Sequence, residues 1–140
     1  MTVVRQRNVA LILARELAVN LSTPMWIWDE AGELIYYNEH VQELLGSPVS
    51  EIGVGRLEEL PRFEPTDLDG NPIPVDELPS AIAIKQQRPA HRELQIVAID
   101  GVRKSIAVTA YPLFARAGEF VGAVAVFWET TGESRGTTPR

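Results

Sequence analysis

The chain of 140 residues contains no cysteine. That absence excludes disulfides, thiolate metal sites, cysteine nucleophiles and cofactors held by a thioether. Histidine is nearly absent too. His40 and His91 are the only two, and neither has a second histidine four residues on, as a helical metal pair requires. Positive charge is in the minority: 13 Lys and Arg stand against 19 Asp and Glu, for a net charge of −6 and an isoelectric point near 4.9. A field of that sign repels phosphate, so nucleic-acid partners are not expected. Anionic membrane surfaces are disfavoured for the same reason. No apolar run reaches membrane length. The stretch 9–14 follows Arg5 and Arg7 but is cut by Arg15 and Glu16. It falls just short of the roughly 7–15 residues of a signal-peptide core and far below the ~20 of a bilayer span. The expectation is a cytoplasmic protein, and a cysteine-free chain suits a reducing compartment.

What is present suits one folded domain. The length fits a single unit, and 45% of residues are apolar, enough to build one core rather than a disordered tail. The segment 1–21 reads as an amphipathic helix. Val9, Leu13 and Leu17 share a stripe with Ile12 and Leu21 beside it, while Leu11, Ala14 and Ala18 form another. Two apolar stripes are one more than a surface helix needs, so the helix either touches both its own domain and a second copy or is buried more fully within a monomer. Val9, Ile12, Leu13 and Leu17 are the candidate dimer residues. Next, M-W-I-W-D, E-A-G and E-L-I-Y-Y spell a strand, a turn and a strand. Asn38 is placed to cap a helix carrying Val41, Leu44 and Leu45, which Gly46 ends. Short helical turns and loop are expected across the Gly- and Pro-rich stretch that follows. Asp76 is placed to cap a helix through Gln87, with Leu78, Ala81 and Ile82 as its buried stripe. Strands are expected over 92–99, 104–114 and 119–128, joined at Asp100-Gly101 and Ala117-Gly118. The hairpins imply an antiparallel sheet and an α+β class. The tail 132–140 lacks apolar residues and is expected to be disordered.

Strand alternation separates two faces. Even positions carry Trp26, Trp28, Leu94, Ile96, Ile106, Val108, Val124, Val126 and Trp128. Odd positions carry Met25, Ile27, Ala107, Thr109, Ala123, Ala125 and Phe127. Both faces of the last strand are apolar, so it is expected to be central. The small side chains of the odd face suit a closely packed N-terminal helix.

In order and spacing, these segments resemble a PAS domain over about residues 9–131. The hairpin W-D-E-A-G-E-L-I-Y-Y-N places Asp29, Gly32 and Asn38 on the family's D…G…N pattern. E-L-L-G at 43–46 and D-G-N-P-I-P-V-D-E-L-P at 69–79 are similar to bacterial signalling members. G-A-V-A-V-F-W-E-T-T at 122–131 resembles the closing D-I-T signature, with Glu129 in place of Asp. The resemblance implies a five-stranded antiparallel sheet of order 2-1-5-4-3, a domain over 22–131, and a cavity lined by the even face. The ligand residues that follow are Trp28, Ile82, Leu94, Ile96, Ile106, Val108, Val124 and Trp128. Trp26 reads as core, whereas Trp28 and Trp128 suit either core or ligand.

The chemistry-bearing residues point away from catalysis. D-L-D-G-N-P-I-P-V-D-E-L at 67–78 has acids or an amide at its first, third and fifth places, as a calcium loop does. But Pro72 and Leu78 occupy the places of the required Gly and Glu, so a turn and a proline-stiffened link are expected instead. No metal ligand set is expected. A haem-binding relative would offer a histidine from the helix before the third strand; this one has none, and His91 falls only at the strand's start. A flavin photoreceptor of this family needs a reactive cysteine. No cofactor is therefore expected. There is no nucleophile elbow, zinc-protease motif or phosphate loop. A small α+β cone enzyme using Tyr36, Tyr37, Tyr111 and Asp29 is the rival reading, opposed by the order of elements. The expectation is a non-enzymatic signalling sensor that binds a small apolar or aromatic ligand and dimerises, with a signalling protein as a further partner in trans. The alternative is a ligand-free dimerisation or docking domain.

Overall fold

The computed structural model describes residues 11, 12, 14, 17, 22–46 and 55–130. Its centre is one antiparallel sheet of five strands, β1 (Met25–Asp29), β2 (Leu34–Tyr37), β3 (Ala90–Val97), β4 (Arg103–Phe114) and β5 (Phe120–Thr130), in the order β2-β1-β5-β4-β3. The long last strand is central, as its two apolar faces require. Two short helices, α1 (Glu39–Leu45) and α2 (Pro79–Lys85), and a 3-10 helix, Leu57–Phe63, fill the segment between β2 and β3.

Local chemistry explains the joints. In the β1–β2 turn, Asp29 Oδ1 accepts from the Ala31 and Glu33 amides at 2.9 and 3.0 Å, and Gly32 supplies a φ of 83°. Asn38 does stand at the start of α1, but its side chain makes no capping bond. Its Oδ1 accepts from the Met25 amide at 3.2 Å and its Nδ2 donates to the Thr23 carbonyl at 2.9 Å. The amide thus fastens the entry of β1 to the exit of β2. At its other end α1 is held by the β3–β4 hairpin: Lys104 Nζ donates to the Leu44 carbonyl at 2.6 Å and the Ile99 amide to the Leu45 carbonyl at 3.0 Å.

The expected cap at Asp76 is not formed. Pro79 forces the residue before it into extended backbone, and Leu78 has φ −79° and ψ 145°. The helix therefore starts at Pro79 and ends at Lys85. Asp76 lies in a separate 3-10 turn, Val75–Glu77, and its carboxylate meets Lys85 Nζ at 2.6 Å. That bond holds the Lys85 ammonium above its ordinary pKa. The loop 65–73 is a tight turn. Asp67 Oδ1 accepts from the Asp69 and Asn71 amides, both at 2.9 Å, and Thr66 pairs with Gln95 through two backbone bonds of 2.9 Å. The loop so covers part of the free edge of β3, which would otherwise invite another chain.

The N-terminal helix is described only at Leu11, Ile12, Ala14 and Leu17, all helical. Val9 and Leu13 of the expected dimer surface lie outside the described residues, as does the tail 132–140. Among the described residues, no helix is long and apolar enough to cross a membrane.

Candidate functional site

The sheet register decides which side chains share a face. In an antiparallel pair, directly opposed residues point the same way. β3 and β4 pair Leu94 with Ile106 and Arg92 with Val108, so even positions match even positions. β1 and β5 pair Trp26 with Ala125 and Trp28 with Ala123. β4 and β5 pair Val108 with Phe127 and Ala110 with Ala125. In both of the latter, even positions face odd ones. The concave face under the helices therefore carries Ala123, Ala125 and Phe127 from β5, and all three are buried in the core cluster.

Val124 and Trp128, expected among the ligand residues, accordingly lie on the opposite face. Val124 faces Ile27 and Trp128 faces Ala107 across the ladders. Trp128 is 41% exposed and stands beside the His91 ring, with centroids 6.4 Å apart. Applying one parity to every strand fails here because each register follows its own connection, and a slip of one residue turns a strand over. Ala123 and Ala125, expected beneath the N-terminal helix, instead lie on the face crossed by α2, which packs across β3, β4 and β5, whereas Ala107 stays on the opposite face with Trp128. Alanine there lets a helix approach the sheet closely.

Above this face lies a small cavity of about 60 Å³. From the sheet it is lined by Trp26, Leu94, Ile96, Ile106, Val108 and Phe127, and from the roof by Leu45, Leu60, Phe63, Pro65, Leu78, Pro79 and Ser80. Of the residues expected as ligand contacts, Leu94, Ile96, Ile106 and Val108 line this cavity. Trp28 is fully buried and Ile82 is partly exposed, but neither lines the cavity. Trp26, read from sequence as core, forms a wall. It meets Trp28 edge to face at 5.3 Å and 72°, and Phe127 at 5.0 Å and 55°. Such aromatic pairs add about 0.5–1.5 kcal/mol beyond the area they bury.

The roof residues were missed for a different reason. Leu57, Leu60 and Phe63 recur every third position and are all buried. That spacing is one face of a 3-10 helix, with three residues per turn, where a search for the 3.6-residue period finds only a proline-broken loop. The start of this helix is held by Glu59, whose Oε1 accepts from the Gly55 amide at 2.5 Å and the Arg56 amide at 2.9 Å. The Gly55 bond first, and the Arg56 bond with it, hold this carboxyl below its ordinary 4.5.

The cavity is apolar and carries no charged side chain among its lining. The lining residues that carry polar side-chain atoms are Ser80 and Trp26. Trp26 is 7% exposed, and its Nε1 has no hydrogen-bond partner; Trp28 Nε1 and Thr66 Oγ1 are likewise unpaired. A buried donor left unpaired costs about 1–3 kcal/mol. None of Asp29, Tyr36, Tyr37 or Tyr111 lines the cavity, so the residues of the enzyme reading do not meet there. Among the described residues, the His and acidic side chains close enough to share an ion are Glu39, His40 and Glu43, on the solvent side of α1. His40 Nδ1 and Glu43 Oε1 already pair at 3.0 Å.

Comparison with known proteins agrees with this architecture. The family model described as PAS fold matches residues 14–128. No curated protein matches the chain. Among solved structures, the PAS domain of a protein from Colwellia psychrerythraea is 17% identical with a TM-score of 0.60, covering 87% of this chain and 98% of that one. The PAS domain of the fruit-fly ELK potassium channel is 10% identical with a TM-score of 0.69, covering 86% and 97%. The light-state dimer of the fungal blue-light photoreceptor Vivid is 18% identical with a TM-score of 0.59, covering 79% and 80%. With the family model spanning most of the chain and the sheet order, hairpins and helical roof all in place, the chain belongs to the PAS family of signalling sensor and interaction domains.

Proposed function

We propose that this PAS domain senses a small, uncharged, largely apolar molecule held between the concave sheet face and the helical roof. It works in the cytoplasm as a homodimer joined through the N-terminal helix, and it catalyses no reaction. The observation that carries this reading is the apolar cavity walled by Trp26, whose indole N–H is unpaired. A charged ligand would lose its hydration with no charged partner to offset the loss. An apolar molecule with one acceptor atom would gain burial and also satisfy the indole. At about 60 Å³, the cavity is well below the ~150 Å³ that admits benzene. A flavin or haem does not fit this conformation, and we assign no cofactor.

Support for self-association comes from the exposed part of the N-terminal helix. Ile12 and Leu17 are 53% and 55% exposed although both are large and apolar. Burying such area contributes roughly 25 cal/mol per Å². The likeness to the Vivid dimer is consistent with that use of the fold.

The small cavity also favours a second reading, a docking domain that takes no ligand. Native mass spectrometry of protein purified from its source without denaturation separates the two. The sensor reading expects one uncharged small molecule per chain. A bare-chain mass, together with Leu94, Ile96, Ile106 and Val108 methyl resonances unmoved by xenon, would establish the docking reading in its place.

A further inference from the structure

A second concavity adjoins the roof. It is a surface groove of about 340 Å³ between the end of the 3-10 helix and the β3–β4 hairpin, lined by Arg62, Phe63, Glu64, Val97, Ile99 and neighbours. Phe63 lines both this groove and the inner cavity. Phe63, buried at the end of the 3-10 helix, thus borders both spaces.

We propose that Phe63 is a gate, and that the two spaces joined form one binding site for an amphipathic small molecule. The apolar chain enters the inner cavity and a hydrogen-bonding head stays in the groove. This rests on the sensor reading and gives its ligand a shape. The inner cavity alone is far below the roughly 300–1,000 Å³ of small-molecule pockets, and the joined space falls within that range. The two ends differ in chemistry as such a ligand requires. The interior has no charged lining, whereas Arg62 and Glu64 are among the residues that border the groove.

The backbone is also placed for movement. Phe63 is the last residue of its helix, and Glu64 after it holds a φ of 48° and ψ of 56°. Left-handed backbone is sparsely populated by non-glycine residues and stores strain. Element-terminal positions are where hinges absorb such changes. A short rotation there swings the ring without unmaking the sheet.

The test is a titration of the methyl-labelled full chain with 1-octanol, in wild type and in Phe63→Leu, Phe63→Ala and Phe63→Trp variants. The expected result in wild type is joint movement of inner methyls (Leu94, Ile96, Val108) and groove methyls (Val97, Ile99) with one affinity. If the open state is a minor population of about 10% or less, removing the ring tightens binding at least tenfold. Phe63→Ala should show that gain and Phe63→Leu a smaller one. Phe63→Trp should abolish the inner shifts and leave the domain folded. If Phe63→Ala does not fold, Phe63→Leu and Phe63→Trp decide. Inner shifts of equal affinity in wild type, Leu and Trp forms would overturn the gate while leaving the sensor reading standing. Inner methyls that move in no variant would overturn both.

Discussion

Replacing Gly122 with alanine tests the sheet that supports the site. Gly122 lies on β5 opposite Asp29 of β1 and Leu113 of β4, and it holds a φ of 151°. A Cβ built there overlaps the Trp28 carbonyl oxygen and comes within 3.2 Å of the Asp29 Cα. Both obstacles are backbone, so no rotamer change relieves them. The φ alone costs an L-residue about 1–3 kcal/mol, and displacing β1 from the central strand removes ladder bonds worth about 1 kcal/mol each. A loss of about 3 kcal/mol or more is expected. With a urea slope of about 1–3 kcal/mol per M, the midpoint falls by at least ~1 M. The control is Gly70→Ala, where φ is 91° but an added Cβ meets nothing within 4 Å; only the backbone cost of roughly 1–2 kcal/mol should appear. Urea unfolding followed by tryptophan fluorescence compares the two. Equal midpoints for the two variants would refute the close β1–β5 approach.

Lys104→Met should destabilise the domain by about 1.5–3 kcal/mol, because Leu44 loses a charged donor at the end of α1; thermal unfolding reads the loss. Glu59 has its carboxyl lowered in the folded state, so its contribution is present above the ordinary value of 4.5 and is lost as pH falls through the lower folded value. Wild type should therefore lose more stability on acidification than Glu59→Gln, with urea midpoints at the two ends of that window as the measure; parallel acid limbs would refute the cause. Ile12→Asp combined with Leu17→Asp should convert a dimer to a monomer in sedimentation, and at concentrations low enough for wild type to be monomeric the two unfolding midpoints should nearly coincide, since both side chains are more than half exposed in the single chain.

The fold was legible where single residues dictate backbone. Gly32 and Asp100-Gly101 marked the turns, and the two apolar faces of 120–130 marked the central strand. The helix start at Pro79 was also legible, because the proline constrains Leu78, yet the attraction of an acidic cap at Asp76 obscured it. The site was less legible, since alternation within a strand says nothing about how two strands are phased. Trp26 meets Ala125 rather than an even-numbered residue, and that single fact exchanges Phe127 for Trp128 at the cavity. Leu60 and Phe63 were hidden by their three-residue period.

The three tryptophans make the sharpest test of where a ligand sits. Their indole N–H resonances, assigned by single Trp→Phe variants, can be followed during a 1-octanol titration. Trp26 should shift most, as the wall of the cavity with an unpaired donor, and Trp128 on the opposite face should stay still. Movement of Trp128 together with the Val124 methyls, and none at Trp26, would contradict the assignment of the concave face as the sensing site.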